Sequence, residues 1–250
     1  MRVIATVQVR MGSSRLPGKA MRDIAGKPLL GHLLDRLALA TRLDGIVVAT
    51  SVRADNDVIE TYCGSRGLAC FRGDEDDVLG RMVGALRSQD AAIGVEVFGD
   101  CTLIDPAIVD QLVDLFVQSD GAFDFVGNDL TTTWPPGMEV EVFSVAALAD
   151  AERRCGDPAT REHGTLFIRQ NPNLYRLRNV EAPPAFRRPE LELEVDTPED
   201  LAVMEAVLRH FSDRRDVGLA ELIRFMDRHP DIASINRDVA RRWKEFRGDA

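Results

Sequence analysis

The chain has 250 residues and a formal net charge of −10. It is long enough to bury a substantial core, and nothing in its composition marks disorder, repeats or low complexity. Such an acidic surface repels a phosphate backbone unless a basic stripe is segregated on one face, which excludes a general nucleic-acid binder. No apolar run reaches membrane-spanning length and no basic, apolar, small-residue leader opens the chain, so a cytoplasmic protein with no membrane and no nucleic-acid partner is expected. Cys63, Cys70, Cys101 and Cys155 form no Cys-x-x-Cys pair and read as buried free thiols.

In chain order, Val3 to Val9 is a β-branched apolar run bounded by turn residues, as in a strand buried on both faces of a parallel sheet. Pro28 to Arg42 puts Leu29, Leu30, Leu33, Leu34 and Leu37 on one helical face, and Ile46 to Ala49 follows as a strand. Asn56 to Arg66 reads as a helix, Leu68 to Phe71 as a strand, Asp77 to Ser88 as a helix and Val95 to Phe98 as a strand. The alternation predicts an α/β fold: a mostly parallel sheet with helices on both faces and ligands gathered outside the carboxyl ends of the strands. Asp105 precedes Pro106 as the N-cap of the next helix. Past Asn128 the pattern loosens into the loop Thr131 to Gly137. Met138 to Phe143 then alternates as a strand, with Glu139 and Glu141 on one face, and Leu191 to Val195 alternates likewise. Pro198 to His210 and Leu219 to His229 read as helices, before a polar, partly basic tail whose Trp243 and Phe246 are expected to pack behind the sheet. One domain spanning 1–250 is expected, with an acceptor or dimerisation excursion at about 128–180 and a helical extension at about 213–250.

The chemistry concentrates first in Arg10-Met11-Gly12-Ser13-Ser14-Arg15-Leu16-Pro17-Gly18-Lys19, a loop leaving the first strand. Gly12 and Gly18 permit close backbone approach, and Arg10, Arg15 and Lys19 supply donors matched to phosphate oxygens. A Walker A loop is excluded: five residues, not four, separate Gly12 from the Gly18-Lys19 pair, and Ala20 stands where Ser or Thr is required. Two carboxylates, Asp100 after Gly99 and Asp196 before Thr197-Pro198, sit at strand ends. A polyphosphate site needs a hard divalent ion, and Mg²⁺ is usually held by one or two carboxylates with phosphate oxygens, so this pair is the expected metal set; helix capping is the alternative role for Asp196.

The loop Arg10-x-x-Ser13-x-Arg15-x-Pro17-x-Lys19 is accompanied by Arg72 to Leu79, Gly99-Asp100, Glu139 to Phe143, Arg161-Glu162-His163 and Asp196 to Leu201. Together they resemble the cytidylyltransferase superfamily, most nearly the spore-coat polysaccharide biosynthesis SpsF group and more distantly the CMP-sialic acid and CMP-Kdo synthetases. The resemblance implies a Rossmann-like, glycosyltransferase-A-like nucleotidyltransferase fold, CTP as donor, a small-molecule acceptor, Mg²⁺ and a homodimer. It implies catalytic roles for Arg10, Arg15, Lys19 and Asp100. Nucleotide contacts fall to Val9, Arg10, Gly12, Ser13, Arg15, Lys19, Asp77 and Arg81, with N-capping an equal alternative for Asp77 and a solvated helix position for Arg81. Acceptor contacts fall to Glu139, Glu141, Arg161, Glu162 and His163. Three positions depart from the group's pattern: Thr102 and Gly164 stand in place of a proline and a bulkier aliphatic, and Glu194 in place of an aspartate. A nucleotide-sugar glycosyltransferase and a non-catalytic nucleotide-binding module are the rival readings. Trp134-Pro135-Pro136 and Leu166-Phe167-Ile168 are expected to form either a subunit-pairing arm or a satellite cluster.

Overall fold

A computed structural model describes residues 1–212 and 214–241. The chain runs β1 (Val3–Gln8), β2 (Asp23–Ile24), β3 (Lys27–Pro28), α1 (Leu29–Leu37), β4 (Gly45–Ser51), α2 (Asp57–Ser65), β5 (Ala69–Gly73), α3 (Val78–Arg87), β6 (Ile93–Phe98), α4 (Pro106–Gln118) and β7 (Phe125–Gly127). It continues through β8 (Glu141–Ser144), α5 (Val145–Arg154), α6 (Pro158–Arg161), α7 (Leu166–Gln170), β9 (Leu177–Asn179), α8 (Pro198–His210), α9 (Leu219–Arg228) and α10 (Pro230–Ala233). The main sheet has seven strands in the order β5-β4-β1-β6-β8-β7-β9. Strands β5, β4, β1 and β6 are parallel, β8 runs antiparallel between β6 and β7, and β9 pairs parallel with β7. The sheet therefore continues unbroken through residues 128–180.

Burial follows strand alternation. Val3, Ala5 and Val7 of β1 pack into one core layer with the five leucines of α1 and apolar residues of α4, α8 and α9. Ile4, with Val47 and Ala49 of β4, faces the opposite layer under α3 and α5. Both faces of the central strands are covered, which is why they read as near-continuous apolar runs. The loops after β1 and β6 emerge side by side, because β6 pairs with β1 over its full length, from Val3–Ile93 to Gln8–Phe98.

Helix and strand ends differ from the sequence expectation where side chains capture backbone donors. Helix α1 stops at Leu37 rather than Arg42, since the N–H groups of Thr41 and Arg42 donate to Asp110 on α4 at 3.0 and 2.9 Å. The expected strand from Met138 is strand only from Glu141. Before it, Asn128 takes the place of a neighbouring strand, donating to the Met138 carbonyl and accepting from the Val140 N–H, both at 2.8 Å. Leu191 to Val195 is no strand at all. Leu193 N–H donates to the Pro136 carbonyl and Val195 N–H to the Asp100 carbonyl, at 2.7 and 3.2 Å, so the segment is tied to two turns instead of a ladder. Gly137 permits that path: its φ is +100°, and a Cβ there would lie 2.6 Å from the Leu193 carbonyl carbon.

Asp105 caps α4 by accepting from Ala107 N–H at 2.9 Å, and its other oxygen accepts from Leu219 N–H at 2.7 Å, joining α9 to the same turn. Trp134, Leu166 and Ile168 are buried within the protomer, with Trp134 Nε1 donating to the Val180 carbonyl. Cys63, Cys101 and Cys155 are buried free thiols and Cys70 is half-buried. Among the described residues, no helix is long and apolar enough to cross a membrane. Trp243 and Phe246 lie outside the described residues.

Candidate active site

A cleft of about 380 Å³ opens at the carboxyl ends of β1 and β6. One wall is the loop after β1, lined by Val9, Arg10, Gly12, Ser13, Ser14, Arg15 and Lys19; the other carries Asp100, Asp196 and the stretch from Glu162 to Leu166. The loop is shaped locally. Gly18, at φ +74°, returns its N–H to the Met11 carbonyl at 2.9 Å, and Ser13 Oγ accepts from Leu16 N–H at 3.3 Å. Buried Asn56 accepts from Met11 N–H at 2.8 Å and anchors the loop to the turn after β4.

Each cation of this loop has an acidic partner. Arg10 donates to the Glu75 carboxylate and carbonyl, both at 3.2 Å. Arg15 pairs with Asp196 Oδ2. Lys19 Nζ reaches Asp196 Oδ1 at 2.8 Å, Asp100 Oδ2 at 3.2 Å and the Val195 carbonyl at 2.6 Å. Burial alone would lower the Lys19 pKa, but Asp100 and Asp196 outweigh it and hold the ammonium above its ordinary value. Asp196 is available for this because Thr197 and Asp200 form the capping box of α8, so the capping alternative for Asp196 does not hold.

Asp100 and Asp196 thus bring carboxylate oxygens to one point, now held by an ammonium. Among the described residues no set of three or more His, Cys, Asp or Glu side chains is placed to hold a metal. Two hard oxygen donors, with other positions left to phosphate and water, fit the way Mg²⁺ is bound and do not fit a closed, protein-only cage.

A family model described as cytidylyltransferase matches residues 4–225. The chain belongs to the cytidylyltransferase family. It is 32% identical to the spore coat polysaccharide biosynthesis protein SpsF of Bacillus subtilis over 237 residues, 93% of this chain and 97% of that one. Among solved structures it is similar to a cytidylyltransferase from Leptospira borgpetersenii, with TM-score 0.89 and 28% identity over 96% of this chain and 99% of that one. It also shares its fold with a CMP:2-keto-3-deoxy-manno-octonic acid synthetase solved with CTP, at TM-score 0.63 and 19% identity over 84% and 99% of the two chains. The protein is therefore an enzyme, a CTP-dependent nucleotidyltransferase.

Several expected positions of the cytidylyltransferase fall elsewhere. Asp77 does not line the cleft: it caps α3 through Gly80 N–H at 2.8 Å and pairs with Arg161 at 2.6 Å. Arg161 is likewise away from the lining, its other nitrogen donating to the Glu152 and Cys155 carbonyls. Arg81 lines the cleft but is not solvated. It is buried, donates to Gln8 Oε1 and the Asp74 and Glu75 carbonyls, and has its pKa lowered by burial. It thereby fixes the turn whose Glu75 holds Arg10.

Glu139 and Glu141 share neither a strand nor the cleft wall. Glu139 accepts from Gly137 N–H at 2.6 Å and lies 3.5 Å from Cys101 Sγ, whereas Glu141 is fully buried against Thr165 and Arg169. Of the expected acceptor residues, only Glu162 and His163 line the cleft, and burial lowers the His163 pKa. Glu194 is buried outside the lining, its carboxyl held well above the usual range by burial and then by Asp100 and Glu139.

Sequence reasoning passed over Gln8, Glu75, Glu96, Thr165 and Arg169. Four of these line the cleft, and Glu75 holds Arg10. Glu96 carried a visible signal, as the one carboxylate inside the apolar strand Ile93–Phe98. Arg169 carried none, because only the packing of α7 brings it 2.9 Å from Asp129 and Glu141.

Proposed function

We propose that this enzyme transfers CMP from CTP to a sugar-like or phosphorylated acceptor with release of pyrophosphate, in polysaccharide or surface-glycan assembly, with Mg²⁺ as its metal. The observation that carries this reading is the meeting of Arg15 and Lys19 with Asp100 and Asp196 at one mouth of the cleft. An acceptor oxygen attacks the α-phosphorus of CTP, the bond to the bridging oxygen breaks, and its electron pair leaves with pyrophosphate. Positioning and charge neutralisation supply most of the acceleration in such transfers.

In this reading Arg10, Arg15 and Lys19 exchange their carboxylate partners for phosphate oxygens, and the Gly12 amide adds a neutral donor. Arg15 and Lys19 then balance the charge that collects on the leaving pyrophosphate. Asp100 and Asp196, released from Lys19, would hold Mg²⁺, which when bound acts as a Lewis acid and template. Arg81 acts by positioning, through Glu75 and Arg10. Glu162 and His163 face the acceptor's side of the cleft. The similarity to SpsF, a spore coat polysaccharide biosynthesis protein, supports glycan assembly as the setting. A cytoplasmic homodimer is the form this reading carries forward. The glycosyltransferase alternative is set aside by the family match across residues 4–225.

Pyrophosphate release from CTP with an acceptor panel tests the proposal. Release that needs both Mg²⁺ and an acceptor, and is lost in Asp100→Asn, is the expected result. Release with no dependence on Asp100 contradicts it.

A further inference from the structure

Below the phosphate-binding loop the cleft floor carries a carboxyl group with one oxygen that no described residue satisfies. Glu96 projects from β6 into the cleft, is 1% exposed and shares a hydrogen bond with Glu141, and its Oε2 has no hydrogen-bond partner among the described residues. Leaving such an oxygen dry and unpaired costs free energy, so a buried acceptor aimed into a ligand cleft calls for a donor from the ligand.

The surroundings specify which donor. Glu141 of β8 and Asp129, in the loop after β7, are buried beside Glu96, giving three carboxyls in one pocket. Arg169 of α7 is bonded to two of them, Asp129 and Glu141. Arg81 of α3 lies near Glu96, and its Nε and Nη1 donate to Gln8 Oε1 and to the Asp74 and Glu75 carbonyls. His163, from the loop before α7, lines the same part of the cleft. Burial raises the Glu96 pKa to about 7; the Glu141 hydrogen bond opposes that rise, Asp129 adds to it, and Arg169 and Arg81 oppose it. In the free enzyme a proton therefore stands where one more positive charge would fit.

Access is provided by Gly164. A Cβ at this position would lie 3.0 and 3.1 Å from the two Glu96 carboxylate oxygens and 2.5 Å from Met82 Cε. A side chain here would crowd the carboxylate from the cleft side, which fits a glycine following Glu162-His163 in this chain.

We propose that Glu96 reads the acceptor, and that the acceptor carries a protonated amino group that this carboxylate receives. A neutral hydroxyl would satisfy Oε2 but leave the pocket acidic, whereas an ammonium supplies both the donor and the charge. The proposal rests on the cytidylyltransferase reading above and extends it to substrate class: an amino sugar or a similarly amine-bearing acceptor.

The experiment uses the CTP-saturated protein with Mg²⁺ and titrates the four monoamino-deoxyglucose isomers against glucose. At least one amino sugar is expected to bind about tenfold or more tightly than glucose, the scale of one charge-assisted contact. Glu96→Gln keeps the shape and an accepting oxygen but removes the charge, so the preference should shrink to within about twofold. Should that variant fail to fold, the unmodified protein gives a second readout: the preference must weaken from about pH 8 to about pH 5.5, as protons compete for Glu96. Equal binding of amine and hydroxyl sugars, binding of none of them, or a preference that survives Glu96→Gln or is independent of pH overturns the proposal. Failure of the underlying reading shows separately, as the absence of any CTP-induced thermal shift in the unmodified protein.

Discussion

At the loop end of the cleft, Arg15 and Lys19 are matched by Asp196 and Asp100, so cations and anions balance before any ligand arrives. At the far end Glu96, Glu141 and Asp129 lie together, Arg169 is bonded to two of them, and Glu96 Oε2 has no partner among the described residues. The first end is held ready by internal pairs that a triphosphate and a cation can exchange into. The second is held in deficit, and a ligand group is needed to complete it. In the proposed reading, the cleft holds its nucleotide by exchange of ion pairs and chooses its acceptor by an unmet hydrogen bond.

The contrast breaks most readily at the balanced end. Asp100→Asn and Asp196→Asn each remove a charge where phosphate charge develops, and kcat/KM for pyrophosphate release should fall by about 10²–10⁴-fold, the range typical of electrostatic groups at such sites. A loss below about threefold would mean that the two carboxylates serve the fold and not the reaction. Lys19→Met removes the cation between them and is expected to cost about 10²–10³-fold, because the two carboxylates are then left facing each other.

Much of the balanced end was legible in the chain because it is contiguous. Arg10 to Lys19 is one loop, and Asp100 ends an apolar strand whose pairing with β1 sets the two side by side. Strand alternation and the leucine face of α1 gave the sheet, and helix α8 matches its expected span from Pro198 to His210. What escaped sequence reasoning was assembled from distance. Glu141 reads in the chain as an acceptor contact on a strand face and Asp129 stands out in no motif, whereas α7 brings Arg169 onto both of them in a buried cluster. Leu191 to Val195 alternates like a strand, yet its N–H groups go to Pro136 and Asp100, and alternation alone cannot tell one bonding partner from another.

The unbalanced end is sharpened by smaller changes. Gly164→Val drives side-chain atoms toward Met82 and Glu96 and should destabilise the protein by about 1–3 kcal/mol, read as a drop in Tm of about 2–4 °C per kcal/mol. Its CTP-induced shift should persist while acceptor turnover is lost. The pH dependence of stability carries a defined sign. The fold raises the Glu96 pKa from its ordinary 4.5 to about 7, so the protonated form is the one the fold favours. That contribution is complete below the ordinary value and is lost as pH rises through about 7. The Tm of the unmodified protein should therefore fall over this interval, and fall less in Glu96→Gln; parallel curves would remove Glu96 as the titrating group. The smallest effect is expected at Thr102, which is fully buried and whose Oγ1 has no partner among the described residues. Thr102→Val should leave stability within about 1 kcal/mol or raise it, with activity retained.

The most direct test of the nucleotide site is the thermal shift of the purified protein with CTP, UTP, GTP and ATP at matched Mg²⁺, alongside Asp100→Asn. A ligand that binds only the native state raises Tm by mass action, so selectivity is read without knowing the acceptor. A Mg²⁺-dependent shift with CTP, larger than with the other three and diminished in Asp100→Asn, is the predicted result. Equal shifts with all four nucleotides, or a CTP shift indifferent to Mg²⁺ and to Asp100, would contradict the exchange of internal ion pairs for a metal-bound triphosphate.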